Sequence, residues 1–314
     1  MKKYIILFLI VLLCFSGCRA EYIPSIKQSD FTPEPTPEIY DPSEYTLGIY
    51  GAPDEVVLGF IKKSDSLNYK VTVFNNNIEE ALDWAKENSV LLIYGANEED
   101  RLKINETAAY GCAIFTSFFN GPHPPVCSQG DFSYNKESSV KACSVELAKL
   151  LNKTNGKLLV CSTEKNNNND YAFRNAWSAM KNMFELSEVE LLNTEYFSSI
   201  DQVSNFLARE SDITAIYAFS AECANLWAEA TKEIDIKPII ICSETSKECL
   251  EHVSAGNIYA AYYNPLFELG ETAADVIDKY LRTGEVKQPN IILEGSIITS
   301  LESIDHYINI NNQN

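Results

Sequence analysis

The residues after Tyr45 predict an α/β fold built on parallel sheets. Three observations carry that expectation: short apolar runs recur along the chain, helical periods separate them, and the runs do not alternate strictly. The runs are Thr46–Tyr50, Lys70–Phe74, Val90–Tyr94, Cys112–Phe115, Lys157–Cys161, Ala215–Ala218, Lys237–Cys242 and Asn257–Tyr262. Each is rich in Ile, Val and Tyr and reads as a strand covered on both faces. Between them, Ile78, Ala81, Leu82 and Trp84-Ala85 mark one apolar helical stripe. A second passes through Val140, Cys143, Leu147 and Leu150, and a third through Leu266, Leu269, Val276, Ile277, Tyr280 and Leu281. The third is punctuated by Asn264 as N-cap, Pro265 in the first turn and Gly284 just past the end. Strand–helix repetition of this kind implies right-handed crossovers, with ligands bound beyond the carboxyl ends of strands.

The amino terminus is of another kind. Lys2 and Lys3 precede an apolar run from Tyr4 to Phe15, and Ser16-Gly17-Cys18 follows. About a dozen apolar residues are too few to cross roughly 30 Å of hydrocarbon, so residues 1–17 read as a lipoprotein signal peptide. The Cys18 thiol is then the acceptor for a diacylglycerol; a cleaved secretory signal without lipid is the alternative. Residues 18–45 carry Pro24, Pro33, Pro35, Pro37 and Pro42 among acids, serines and threonines, with no apolar period. That composition cannot bury enough surface to fold, and it predicts a disordered tether.

The formal net charge is −19, and losing Lys2 and Lys3 with the signal makes the mature chain more acidic still. Such a surface repels phosphate backbones, and no basic stripe offsets it, so nucleic acid is not expected as a partner. Apart from Cys14 and Cys18, seven of the nine cysteines remain: 112, 127, 143, 161, 223, 242 and 249. An odd number without a CxxC pair argues against a disulfide framework or a structural zinc site. Cys112, Cys161 and Cys242 fall in strand-like runs, where a thiol behaves as a small hydrophobe; strand-end thiols holding a metal are the alternative. No GxGxxG follows the first run, where Gly48-Ile49-Tyr50-Gly51 stands, and there is no P-loop lysine, so no cofactor is expected. His123, His252 and His306 are the only histidines, and neither GxSxG nor HExxH occurs, which argues against an enzyme.

The carboxyl-terminal third carries a resemblance. Gly256-Asn257-Ile258-Tyr259-Ala260-Ala261-Tyr262-Tyr263-Asn264-Pro265, continuing through Leu266-Phe267-Glu268-Leu269-Gly270-Glu271-Thr272-Ala273, resembles a stretch of the type I periplasmic binding proteins, the ribose- and galactose-binding proteins and their relatives. Ala215 to Ala224 and Pro238 to Glu244 resemble two further stretches of that family, in the same order. The resemblance implies two Rossmann-like lobes with parallel sheets, joined by a three-crossover hinge that closes on a small solute. It would place 46–125 and 264–288 in one lobe, and 126–263 and 289–314 in the other. It further implies a monomer that hands a small-molecule ligand to an ABC permease. A sensory module of the same fold, serving a membrane kinase or chemoreceptor, and a degenerate binder contacting protein are the alternatives.

The clamp of that family departs here. Ser220-Ala221, Ser243 and Tyr263 stand where the resemblance implies Asn-Asp, Asp and Gln, and Phe173 takes the place of its arginine, with Arg174 one position off. The expected ligand-binding set is therefore aromatic and mildly polar: Tyr50, Ser117, Phe118, Phe119, Phe173, Arg174, Ser220, Glu222, Ser243, Glu244 and Tyr263. Phe118, Phe119 and Phe173 could equally be core residues. The polar stretch Asn166 to Asp170 reads either as part of the cleft or as a solvated loop.

Overall fold

A computed structural model describes residues 40–299 apart from 89, 119–124, 126–127, 166, 211 and 233–236. The expected signal peptide, Cys18, the expected tether up to residue 39, Phe119 and the tail from residue 300 lie outside the described residues. No helix among the described residues is long and apolar enough to cross a membrane.

The chain builds two sheets. The first takes β1 (Thr46–Tyr50), β2 (Lys70–Phe74), β3 (Val90–Tyr94), β4 (Ala113–Ser117) and β5 (Ser128–Tyr134). The second takes β6 (Gly156–Ser162), β7 (Val189–Leu191), β8 (Glu195–Tyr196), β9 (Ile213–Ala218), β10 (Ile239–Cys242) and β11 (Ala260–Tyr263). Late in the chain β12 (Asn290–Leu293) returns to the edge of the first sheet, beside β5, and β13 (Ser296–Ile298) to the edge of the second, beside β11. The first sheet runs β12-β5-β4-β3-β1-β2 with every pair parallel. The second runs β13-β11-β10-β9-β6-β7, parallel except where β13 meets β11. Among the described residues the helices are α1 (Asp54–Ser66), α2 (Ile78–Asn88), α3 (Arg101–Ala108), α4 (Lys136–Leu150), α5 (Asn167–Met183), α6 (Ile200–Leu207), α7 (Ala221–Ala230), α8 (Lys247–Ser254) and α9 (Leu266–Thr283). The α/β expectation holds: two Rossmann-like lobes of parallel sheet, with three crossings between them.

Covering helices explain why the strands do not alternate. Along β6, Leu158 and Val160 pack with Phe173, Trp177 and Tyr217 on one face. Leu159 and Cys161 pack with Ile216, Trp227 and Ile240 on the other, so both faces demand apolar side chains. The first lobe buries Leu91, Ile93, Ile104 and Ile114 against Ala81 and Ala85 of α2. Side-chain caps fix several helix starts: Asn135 accepts from the Glu137 N–H at α4, Ser199 from Gln202 at α6, and Ser246 from Cys249 at α8. At α9 the expected punctuation shifts by one residue. Pro265 rather than Asn264 takes the N-cap position, and Gly284 closes the helix in the left-handed region at φ 71°.

The chain leaves the first sheet later than the sequence suggested. Residues 128–134 form β5 beside β4, and 290–293 pair with β5, so both segments join the first sheet rather than the second lobe. Polar side chains at Ser128, Gln129, Asp131 and Ser133 hide that strand, and the prolines at 122, 124 and 125 before it read as a linker.

The helix pair α1 and α9 closes the first lobe through two glycines. A Cβ on Gly59 would sit 2.0 Å from the Phe267 carbonyl oxygen, and one on Gly270 would sit 2.1 Å from that of Val56. Backbones this close exclude any side chain at either position. Around the contact, Lys63 pairs with Asp275 at 3.0 Å, and the Tyr69 hydroxyl donates to Asp278 at 2.7 Å.

Candidate functional site

The carboxyl ends of parallel strands collect backbone N–H groups and loop side chains, and that is where a ligand is expected in such sheets. In the second lobe this edge opens into a depression of about 370 Å³. Phe219 just past β9 and Ser243-Glu244 just past β10 form one wall. Ser139 and Val140 of α4 and Asn169 of α5 form another. Tyr134 and Asn264, each at a crossing between the lobes, complete it.

Tyr134 joins this depression to the first lobe. Its ring meets Phe118 edge-on at 4.7 Å, and Phe118 meets Tyr94 at 5.4 Å. Tyr94, Phe118 and Tyr134 stand at or just past the ends of β3, β4 and β5, so three adjacent strands present an aromatic cluster at one edge. Phe118 adopts φ 51°, a left-handed conformation that costs a bulky residue energy and that surrounding contacts must enforce. Burial is the main cause holding the Tyr94 and Tyr134 hydroxyls above the usual phenol range, and the Glu244 carboxylate adds to it at Tyr134. Both phenols therefore remain neutral donors at physiological pH. With the Asn169 and Asn264 amides, the Ser139 hydroxyl and the Glu244 carboxylate, the site offers a few polar groups around flat apolar rings.

The structure separates the sequence-predicted set. Phe118, Ser243 and Glu244 come together at the cleft edge. Ser243 turns its hydroxyl inward, donating to the Phe219 carbonyl at 2.9 Å. Phe173 is fully buried in the second-lobe core, stacked on Tyr217 at 4.0 Å, and so serves packing rather than a ligand. Arg174 is committed within its own lobe: it pairs with Asp170 at 2.9 Å and donates to the Leu192 carbonyl at 3.2 Å. Ser220 caps α7 by accepting from the Cys223 N–H at 3.3 Å. Glu222 is exposed on the first turn of α7, in a separate surface depression with Asn225 and Glu248. Ser117 is buried and donates to the Phe132 carbonyl at 2.8 Å. Tyr50 packs against the first-lobe core. Tyr263 packs against the core on the α7 and α8 side of the second sheet, and its hydroxyl donates to Glu268 at 2.9 Å.

Sequence reasoning missed Tyr94, Tyr134, Phe219 and Asn264. Position was the available signal for Tyr94, Phe219 and Asn264, which end or directly follow an apolar strand, whereas Tyr134 ends a polar strand that carries no such signal. Asn169, which the sequence left between cleft and solvated loop, lines the depression.

Two α/β lobes crossed three times, with the cleft at the strand ends, are the type I periplasmic binding protein fold. No family model matches the chain, and no curated protein matches it by sequence. Solved structures do match. A periplasmic ribose ABC transporter protein from Conexibacter woesei DSM 14684 aligns with TM-score 0.66 at 16% identity, over 84% of this chain and 94% of that one. AraP, an arabinose-binding protein from Geobacillus stearothermophilus, aligns with TM-score 0.66 at 17% identity, over 84% and 99%. XylFII, solved in a complex with LytSN, aligns with TM-score 0.57 at 15% identity, over 81% and 97%. At these identities the likeness is one of fold.

Proposed function

We propose that this chain is an extracytoplasmic solute-binding protein, held at the outer face of the cytoplasmic membrane by a lipid on Cys18, that delivers a small ring compound to an ABC importer. The observation that carries the reading is the cleft itself, where Tyr94, Phe118 and Tyr134 of one lobe meet the strand-end groups of the other at the crossing segments. A ligand clasped there favours the closed arrangement of the lobes, and closure is a shape that a membrane partner can read. The protein acts as a monomer and performs no chemistry on its ligand. A second reading has the closed form engage a membrane sensor instead; the fold likeness to XylFII in its complex with LytSN favours it.

Thermal-shift screening against sugars, nucleosides and polyols tests the binding role. A ligand at a hundred times its dissociation constant should add about 2.7 kcal/mol of stability. A flat response across every class would overturn the reading.

The similar structures include ribose- and arabinose-binding proteins, yet ordinary aldoses should bind this chain weakly. Ser220, Ser243 and Tyr263 spend their hydroxyls on a helix cap, a carbonyl and Glu268, and the chain brings no amide–carboxylate clamp to those positions. Each missing paired hydrogen bond removes about 1 to 3 kcal/mol, from the roughly 8 kcal/mol of a micromolar binder. Micromolar calorimetric binding of ribose or galactose would refute this.

For whichever ligand raises the melting temperature, Tyr134→Ala should weaken binding by more than tenfold, because it removes a ring shared by both walls. Phe173→Leu should leave affinity within about twofold at temperatures where the variant is folded, as a core position predicts.

A further inference from the structure

We propose that Cys161 and Cys223 form a disulfide when the exported chain folds in the presence of a small-molecule disulfide. Cys161 lies in β6, and Cys223 lies in the first turn of α7, 62 positions along the chain. Their sulfurs are 3.3 Å apart and both side chains are fully buried. A bond of about 2.05 Å needs a movement of roughly 1 Å shared between two side chains.

The backbone already supports that closure. The Phe219 N–H donates to the Cys161 carbonyl at 3.0 Å, which ties the start of the turn to Cys161, and Ser220 accepts from the Cys223 N–H at 3.3 Å, which holds Cys223 to that turn. Cys143 donates its S–H to the Cys242 carbonyl at 3.6 Å, whereas Cys223 points its S–H at another sulfur. Cys242 and Cys249 also interact side chain to side chain, but the Cys249 S–H has the Glu244 carbonyl at 3.9 Å as a second partner.

The chemistry is thiol–disulfide exchange. One thiolate attacks a small disulfide and releases a thiolate, and the second cysteine then displaces the other half from the mixed disulfide. The protein loses two protons and two electrons, and the small disulfide leaves as two thiols. Once folded, burial raises the Cys161 thiol well above its ordinary range and starves this reaction of thiolate. The step therefore belongs to folding, while both sulfurs are still in water. The product would brace the segment bearing Thr163 against Ser220, whose hydroxyls lie 3.5 Å apart at the strand-end edge.

The full chain, denatured and reduced, is refolded in a mixture of reduced and oxidised glutathione, and free thiols are then blocked with an alkylating agent in denaturant. The expected peptide map contains a dithiothreitol-sensitive link between the peptides of Cys161 and Cys223. The oxidised form should melt on the order of 10 °C above the reduced form, as a long closed loop predicts. Neither the link nor that difference should survive Cys223→Ala. Cys242 lies beside Cys249, and the map reads a link there separately. Recovery of natively refolded protein with both Cys161 and Cys223 alkylated, or each carrying glutathione, overturns the proposal without bearing on ligand binding.

Discussion

Cys18→Ala should abolish acyl labelling of the protein in cells supplied with a tagged fatty acid, while the folded domain keeps its melting temperature. In the proposed anchoring the Cys18 thiol is the sole acceptor for the diacylglycerol, and the Pro-rich segment that follows has no apolar period with which to pack. Two acyl chains hold a protein at a bilayer stably where one holds it marginally, so the effect on retention is all or none. Once the signal peptide is removed, salt-washed membranes should retain the wild type and none of the variant. Continued acyl labelling of Cys18→Ala would place the anchor elsewhere.

Gly270→Ala should cost about 3 kcal/mol, at the upper end of what an added methyl in a packed interior does. The new Cβ would stand 2.1 Å from the Val56 carbonyl oxygen and 2.6 Å from the Phe60 nitrogen. Both neighbours are backbone atoms of a helix, so relief requires α1 and α9 to part. Parting them also loosens the Lys63–Asp275 pair and the buried Tyr69–Asp278 hydrogen bond. For a domain of this size the loss corresponds to a fall in melting temperature of roughly 6 to 12 °C. Lys279→Ala, on the exposed face of the same helix, should stay within about 0.5 kcal/mol. Calorimetry that finds Gly270→Ala as stable as the wild type would mean that the two helices pack less closely than described.

Most of the central strands were legible because burial on both faces leaves a run of apolar residues that no other element shares. Lys70–Phe74, Val90–Tyr94 and Ala215–Ala218 announce themselves in this way. Ser128–Tyr134 does not, since its polar residues belong to a strand lying toward the sheet edge. The cleft was read less well. Phe118 and Phe173 are the same residue type, each beside a strand end or helix start, and sequence alone ranks them together. The difference lies in three dimensions: Phe173 points from α5 into the second-lobe core, while Phe118 is turned at the end of β4 by a left-handed backbone. Tyr94 ends the apolar run Val90–Tyr94 and Tyr134 ends a strand that the sequence hides, and only the meeting of β3, β4 and β5 at one edge makes them a surface.

The crossings between the lobes are very short. Asn135 alone separates β5 from α4, Asn264 and Pro265 separate β11 from α9, and Glu294 and Gly295 separate β12 from β13. They are also laced together. The Asn135 N–H donates to the Leu293 carbonyl at 2.9 Å, and a side chain at Gly295 would strike the Tyr263 carbonyl at 2.2 Å. Few torsions are left to absorb motion, and Pro265 has one of its own fixed. Freezing a mobile backbone residue costs about 1 to 2 kcal/mol, which a binder closing through a long flexible loop must subtract from its affinity. Here rigid strands and helices would swing about a narrow joint whose degrees of freedom are largely used up beforehand. Little of the contact energy of a captured solute would then go to ordering the joint.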